Sequence, residues 1–222
     1  MNLVDYGRIL IRRGWIMVLL AIITAGAAYL FSQQQTPTWR ATQRMLMVPS
    51  RTDFGLAEAA VRLLESHVAY LDSKLIAQQV IDRLELDMTP DQLKSDVTIA
   101  SNQNRLEIQI DVDITGEGDI AIQQAGDIAN AYGDLLIDYR NEENQKARRE
   151  DRIEARKQDN PVISLVGPRP TINAIVGAVL GMLLGGVIIF VLEYLESAVI
   201  RRRDDLERTL DIPVLATVPH SD

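Results

Sequence analysis

The 222-residue chain carries 23 Lys/Arg against 31 Asp/Glu, a net charge of −8, and no cysteine. It therefore holds neither disulfides nor thiolate metal sites, and its redox compartment is not readable from it. The acidic balance argues against a nucleic-acid partner, whose phosphates select basic faces, and against lying flat on anionic lipid. A neutral or weakly charged partner, such as a glycan or a second copy of the chain, fits better.

Residues 1–14 contain Arg8, Arg12 and Arg13 and lead into an uncharged apolar stretch, residues 15–31. A second such stretch covers residues 171–192 and is followed by Arg201, Arg202 and Arg203. At the helical rise each can cross a hydrocarbon core of about 30 Å. Near the spans, the intervening side offers only Arg40 and Arg169, so the positive-inside rule puts residues 1–14 and 193–222 in the cytoplasm. Residues 32–170 then form one folded domain outside, with 16 Lys/Arg against 23 Asp/Glu. A cleaved signal peptide is the competing reading of the first stretch, since Ala25-Gly-Ala27 has small-residue cleavage character. Its apolar run is longer than a usual signal core, however. The expected topology is two membrane crossings, with the flanks inside and the domain outside.

Within the domain the pattern predicts an α+β fold: a small mixed sheet with helices, one of them long. Residues 39–48 read as a strand of imperfect alternation, ended by Pro49. Residues 56–71 and 73–86 place apolar side chains at helical spacing, Ala60, Val61, Leu64, Val68 and Leu71 in the first and Ile76, Val80, Ile81 and Leu84 in the second. Thr89-Pro90-Asp91-Gln92 has the form of a capping box. Residues 105–114 alternate without a break, Leu106, Ile108, Ile110, Val112 and Ile114 against charged or amide neighbours, and predict a half-buried strand. With Val97 and Ile99 before it, and turn material at 101–104, residues 96–113 form a predicted hairpin.

From Asp119 a long helix is expected. Its first half carries an apolar stripe through Ile122, Ala125, Ile128, Ala129, Tyr132, Leu135, Leu136 and Tyr139. Its second half, 140–160, is almost wholly charged, and reads either as helix projecting into water, about 60 Å in all with the first half, or as loop. Pro161 ends it, and residues 162–166 are β-rich enough for a last strand.

Catalytic chemistry is not expected. His67 and His220 are parted by the membrane in this topology, and His67 sits beside an apolar helical stripe where a structural role is the natural one. The carboxylates follow strand and helix surface spacing, and Gly116-Glu-Gly118 lacks the length and Lys of a phosphate loop. No cofactor, metal or catalytic residue is assigned. In the second apolar stretch Gly177, Gly181 and Gly185 recur every four residues, the spacing by which membrane helices approach closely, here toward the first stretch or a neighbouring copy. In the exposed end of the chain, Ile212, Val214, Leu215 and Val218 lie between Pro213 and Pro219. Such a segment cannot fold alone but can bind in extended form, as strand addition to a partner.

Taken in order, the entry segment 3–15, the helix pair with Glu65-Ser-His-Val68 and Gln79-Val-Ile-Asp-Arg-Leu84, the strand 105–114 followed by Ala125-Gly-Asp-Ile-Ala-Asn-Ala-Tyr132, Pro168-Arg-Pro170 before a Gly-rich span, and the tail 204–219 resemble the polysaccharide co-polymerase family, the chain-length determinants. The chain looks most like the short members that modulate a separate cytosolic bacterial tyrosine kinase. Glycines usual in the family tail are replaced here by Asp211 and Ala216, and no phosphate loop or tyrosine cluster follows. The resemblance implies a non-catalytic scaffold that oligomerises with itself in the membrane lipid. It implies regulation of how far a polymerase extends a growing exported glycan. It further implies that Ile212, Pro213, Val214, Leu215, Val218 and Pro219 contact the kinase and help activate it. A membrane receptor, or a structural subunit of an envelope export complex, is the alternative.

Overall fold

The computed structural model describes residues 3–51 and 54–197. They fall into two compact units, one holding the two long apolar helices and the other residues 35–168.

Among the described residues, the first unit holds helix α1 (Leu3–Gln33) and helix α6 (Pro170–Ser197). Within them Arg12–Gln33 and Pro170–Glu196 are long and apolar enough to cross a membrane. Both reach beyond the apolar runs that the composition marks out, because the flanking polar residues continue the helical turns.

The second unit is built around β1 (Thr38–Pro49). Helix α2 (Phe54–Leu71) and helix α3 (Lys74–Leu84) follow, parted by Ser73, whose side chain caps α3 by accepting from the Ile76 N–H at 3.3 Å. Helix α4 (Pro90–Asp96) starts with the expected capping box: Thr89 accepts from Gln92 N, and the Gln92 side chain returns to Thr89 N at 2.8 Å. Next come β2 (Val97–Asn102) and β3 (Glu107–Thr115), the predicted hairpin. β3 starts two residues later than its alternation suggests, because Leu106 takes a positive φ of 51° in the turn. Helix α5 (Gly118–Lys146) crosses back, and the short strands β4 (Ile153–Lys157) and β5 (Val162–Gly167) complete the unit.

One expectation is corrected, and one alternative left open by the sequence is decided. Every strand pairing described is antiparallel, so the sheet is not mixed. The helix starting near Asp119 ends at Lys146 instead of running to 160. A helix polar on all sides gains nothing from packing, whereas Ile153 and Ala155, two residues apart, can both bury their side chains once the backbone is extended.

The strand order is β2-β3-β1-β4, with β5 also on β1. The two short strands share one edge of β1, β5 pairing with Thr38–Thr42 and β4 with Met45–Pro49. One face of the sheet is covered by α5 together with α2 and α4, while α3 packs on α4 and α5; the core contains Ala41, Met45, Met47, Ile108, Ile110 and Val112 from the strands and Ile128, Tyr132 and Leu136 from α5. α5 lies close because Ala121, Ala125, Ala129 and Gly133, four residues apart, are all buried. A Cβ on Gly133 would stand 3.1 Å from Met45 Sδ.

Candidate functional site

In the helix pair, Gly177, Gly181 and Gly185 are all buried against α1. A Cβ on Gly177 would stand 2.7 Å from Thr24 O, on Gly181 2.7 Å from Leu20 O, and on Gly185 2.7 Å from Met17 Cα. No side chain fits there, and the absence of one lets the backbones touch. Thr24 uses the closeness: its hydroxyl donates to Gly177 O at 2.7 Å. One end of the pair is joined by Asn173 Nδ2 donating to the buried Ser32 hydroxyl at 2.8 Å, the other by an Arg13–Glu196 ion pair. Large apolar side chains such as Ile22, Phe31 and Leu183 point outward. Small residues inside and large ones outside suit a pair solvated by lipid, and the arrangement is compatible with a two-pass membrane protein.

In the second unit, α5 ends in a buried polar joint. Arg140 Nε and Asn144 Nδ2 both donate to Ile153 O, at 3.1 and 3.0 Å, while Ile153 N–H donates to Asn144 Oδ1 at 3.2 Å. The Asn144 amide thus pairs with the first residue of β4 as a neighbouring strand would. His67, 2% exposed, donates from Nδ1 to Leu63 O and stands edge-on to Tyr139, with ring centroids 5.9 Å apart. Its Nε2 is buried without a hydrogen-bond partner. Burial lowers its pKa, the Leu63 hydrogen bond opposes this, and the positive charge of Arg140 adds to the lowering. Among the described residues no three of His, Cys, Asp and Glu come together as metal ligands.

The uncovered face of the sheet is polar and internally paired. Arg40 makes a two-pronged hydrogen bond to Asp113, both distances 2.6 Å, which raises its pKa further. Thr42 donates to Asp111 at 2.6 Å, Gln109 to Asp111 at 2.9 Å, and Arg44 stands 3.4 Å from Glu107. Where β5 gives way to β4 along β1, Gln43 and Arg44 have no ladder partner on that side. The β4–β5 loop fills the seam: Gln158 N–H donates to Arg44 O at 3.0 Å, and the fully buried Gln43 side chain donates to Asp159 O at 2.9 Å. Above it lies a pocket of about 190 Å³ lined by Thr42, Arg44, Gln109, Asp159, Asn160, Val162 and Ser164.

The sequence points to no site on this face. The signals it offers are Gln43, the polar residue that breaks the alternation of 39–48, and the turn-forming Asn160-Pro161. The tail residues Ile212, Pro213, Val214, Leu215, Val218 and Pro219, and His220, lie outside the described residues.

No family model matches the chain. It is 26% identical over 208 residues to the probable capsular polysaccharide biosynthesis protein YwqC of Bacillus subtilis (strain 168), covering 91% of this chain and 81% of that protein. It is 23% identical over 222 residues to the capsular polysaccharide biosynthesis protein CpsC of Streptococcus pneumoniae, covering 96% of this chain and 91% of that one. The similarity spans nearly the whole chain, and it bears out the resemblance drawn from the sequence.

Proposed function

We propose that this relative of capsular polysaccharide biosynthesis proteins is a non-catalytic membrane scaffold of a capsule-producing system. It regulates the length to which an exported polysaccharide is extended, standing twice across the bacterial inner membrane with the 32–170 domain outside. The observation that carries the reading is similarity along nearly the whole chain to two proteins named for capsular polysaccharide biosynthesis. The paired apolar helices and the polar, acidic domain between them support it.

Regulation reaches the cytoplasm through the end of the chain. Ile212, Pro213, Val214, Leu215, Val218 and Pro219 bind a separate cytosolic tyrosine kinase in extended form and raise its activity, while the scaffold assembles with copies of itself and with the polymerase. Deleting residues 212–222 is expected to abolish stimulation of the kinase while membrane insertion and oligomer size stay as they are. Kinase autophosphorylation at the full-length level after that deletion would contradict the tail's role.

A further inference from the structure

We infer that the seam where β5 gives way to β4 is a binding site for neutral saccharide, holding consecutive sugar residues of an extended glycan across the open face of the sheet. The inference deepens the capsule reading and rests on it for the source of the glycan.

The chemistry of the pocket points to a sugar. Asn160 offers donors and an acceptor, and Gln109 keeps one N–H and its oxygen beside the bond it gives Asp111. Thr42, whose proton goes to Asp111, accepts, the Ser164 hydroxyl does both, Arg44 only donates and Asp159 only accepts. A pyranose presents neighbouring hydroxyls that each donate and accept, so a wall of mixed donors and acceptors matches it where a wall of one kind would not. Val162, 64% exposed, supplies the apolar patch that the C–H face of a ring requires. The volume of about 190 Å³ holds one ring.

A second pocket of about 200 Å³ adjoins the first and shares Arg44 and Gln109 with it. These two residues face each other directly in the β1–β3 register. On its far side the second pocket is lined by Ser101, Asn102 and Arg105. From β5 across β1 and β3 to β2 are three strand spacings, about 14 Å, enough for successive sugar units and too long for a single one. Two like pockets in a row, divided by one shared pair, suit a repeating polymer better than an isolated small molecule.

Charge narrows the class further. The charged residues lining the two pockets are Arg44, Arg105, Glu107 and Asp159, which cancel, and Glu107 is already beside Arg44. A polyanion gains nothing there. The rim is also preformed: the Gln43–Asp159 and Gln158–Arg44 hydrogen bonds fix the loop from below, so little order remains to be imposed on binding.

The test uses the full chain in lipid nanodiscs and short neutral oligosaccharides cut from the capsule of the strain that encodes it, read by saturation-transfer difference NMR. Ring protons are expected to receive saturation, with affinity unchanged by added salt. Asn160→Ala combined with Ser164→Ala is expected to weaken binding by about tenfold or more. Thr42→Val, which keeps the strand's shape, is expected to weaken it too, while Gln123→Ala on exposed α5 surface leaves it unchanged. Absence of saturation transfer, or equal binding by wild type and both seam variants, overturns the site. The capsule reading is scored separately, by polymer length in a strain lacking the gene. A changed length without oligosaccharide binding sinks this inference alone, and binding with unchanged length sinks only the capsule role.

Discussion

The Thr24 hydroxyl donates to the Gly177 carbonyl 2.7 Å away, joining α1 to α6 at a point where no side chain separates the two backbones. One turn further along, a Cβ on Gly181 would come within 2.8 Å of Ala21 Cα. Helices brought this close are held by packing and by such side-chain-to-backbone bonds, since apolar side chains gain nothing over lipid.

Gly181→Leu is therefore expected to push the helices apart and lower stability by about 1–3 kcal/mol, the usual range for overpacking. Gly26→Leu, on α1 where nothing lies within 4 Å, is expected to leave it unchanged. Unfolding in a graded mixture of mild detergent and dodecyl sulfate, followed by circular dichroism, compares the two. Equal midpoints would mean that the glycine face does not hold the pair.

The joint between α5 and β4 makes a second prediction. Asn144→Ala leaves the N–H of Ile153 without its side-chain partner in a buried place and its C=O with Arg140 alone, at a cost of about 1–3 kcal/mol. Arg140→Lys is expected to weaken the joint as well, because a single ammonium cannot hold Ile153 O and Asn144 Oδ1 together as the guanidinium fork does. Limited proteolysis should then cut faster within 147–152 in both variants. Wild-type cutting rates would show that the joint contributes little.

His67 gives the domain a pH dependence of defined sign. Burial, with the Arg140 charge behind it, holds its folded pKa below the value of about 6.5 expected in the unfolded chain. The unfolded state then binds more protons on the acid side, so stability is full above about pH 6.5 and falls as the pH drops toward the folded pKa. His67→Phe keeps the edge contact with Tyr139 and removes the titration, so its unfolding midpoint should fall less between pH 6.5 and 5 than that of the wild type. Parallel pH profiles would remove His67 as the cause.

Elements whose burial follows a single period are legible in the sequence. Residues 105–114 show every second side chain apolar, and Ile108, Ile110, Val112 and Ile114 are buried, joined from the polar set only by Glu107. The Thr89 capping box is legible because its partners are three residues apart. Long-range polar pairing is what the sequence hides. Nothing local marks Arg140 and Asn144 as buried, since their partner is the backbone of a strand too short to announce itself. The Gln43 interruption in β1 is visible, but its meaning depends on a loop 116 residues away. The spacing of Gly177, Gly181 and Gly185 can be read directly, and that they meet Thr24, Leu20 and Met17 becomes visible only in the folded pair.

The most direct test of the chain-length role is the size distribution of capsular polysaccharide, resolved on a gel, in a strain lacking this gene and in the same strain complemented with it. A shift in modal length that complementation reverses is the predicted result. An unchanged distribution at unchanged yield would contradict it.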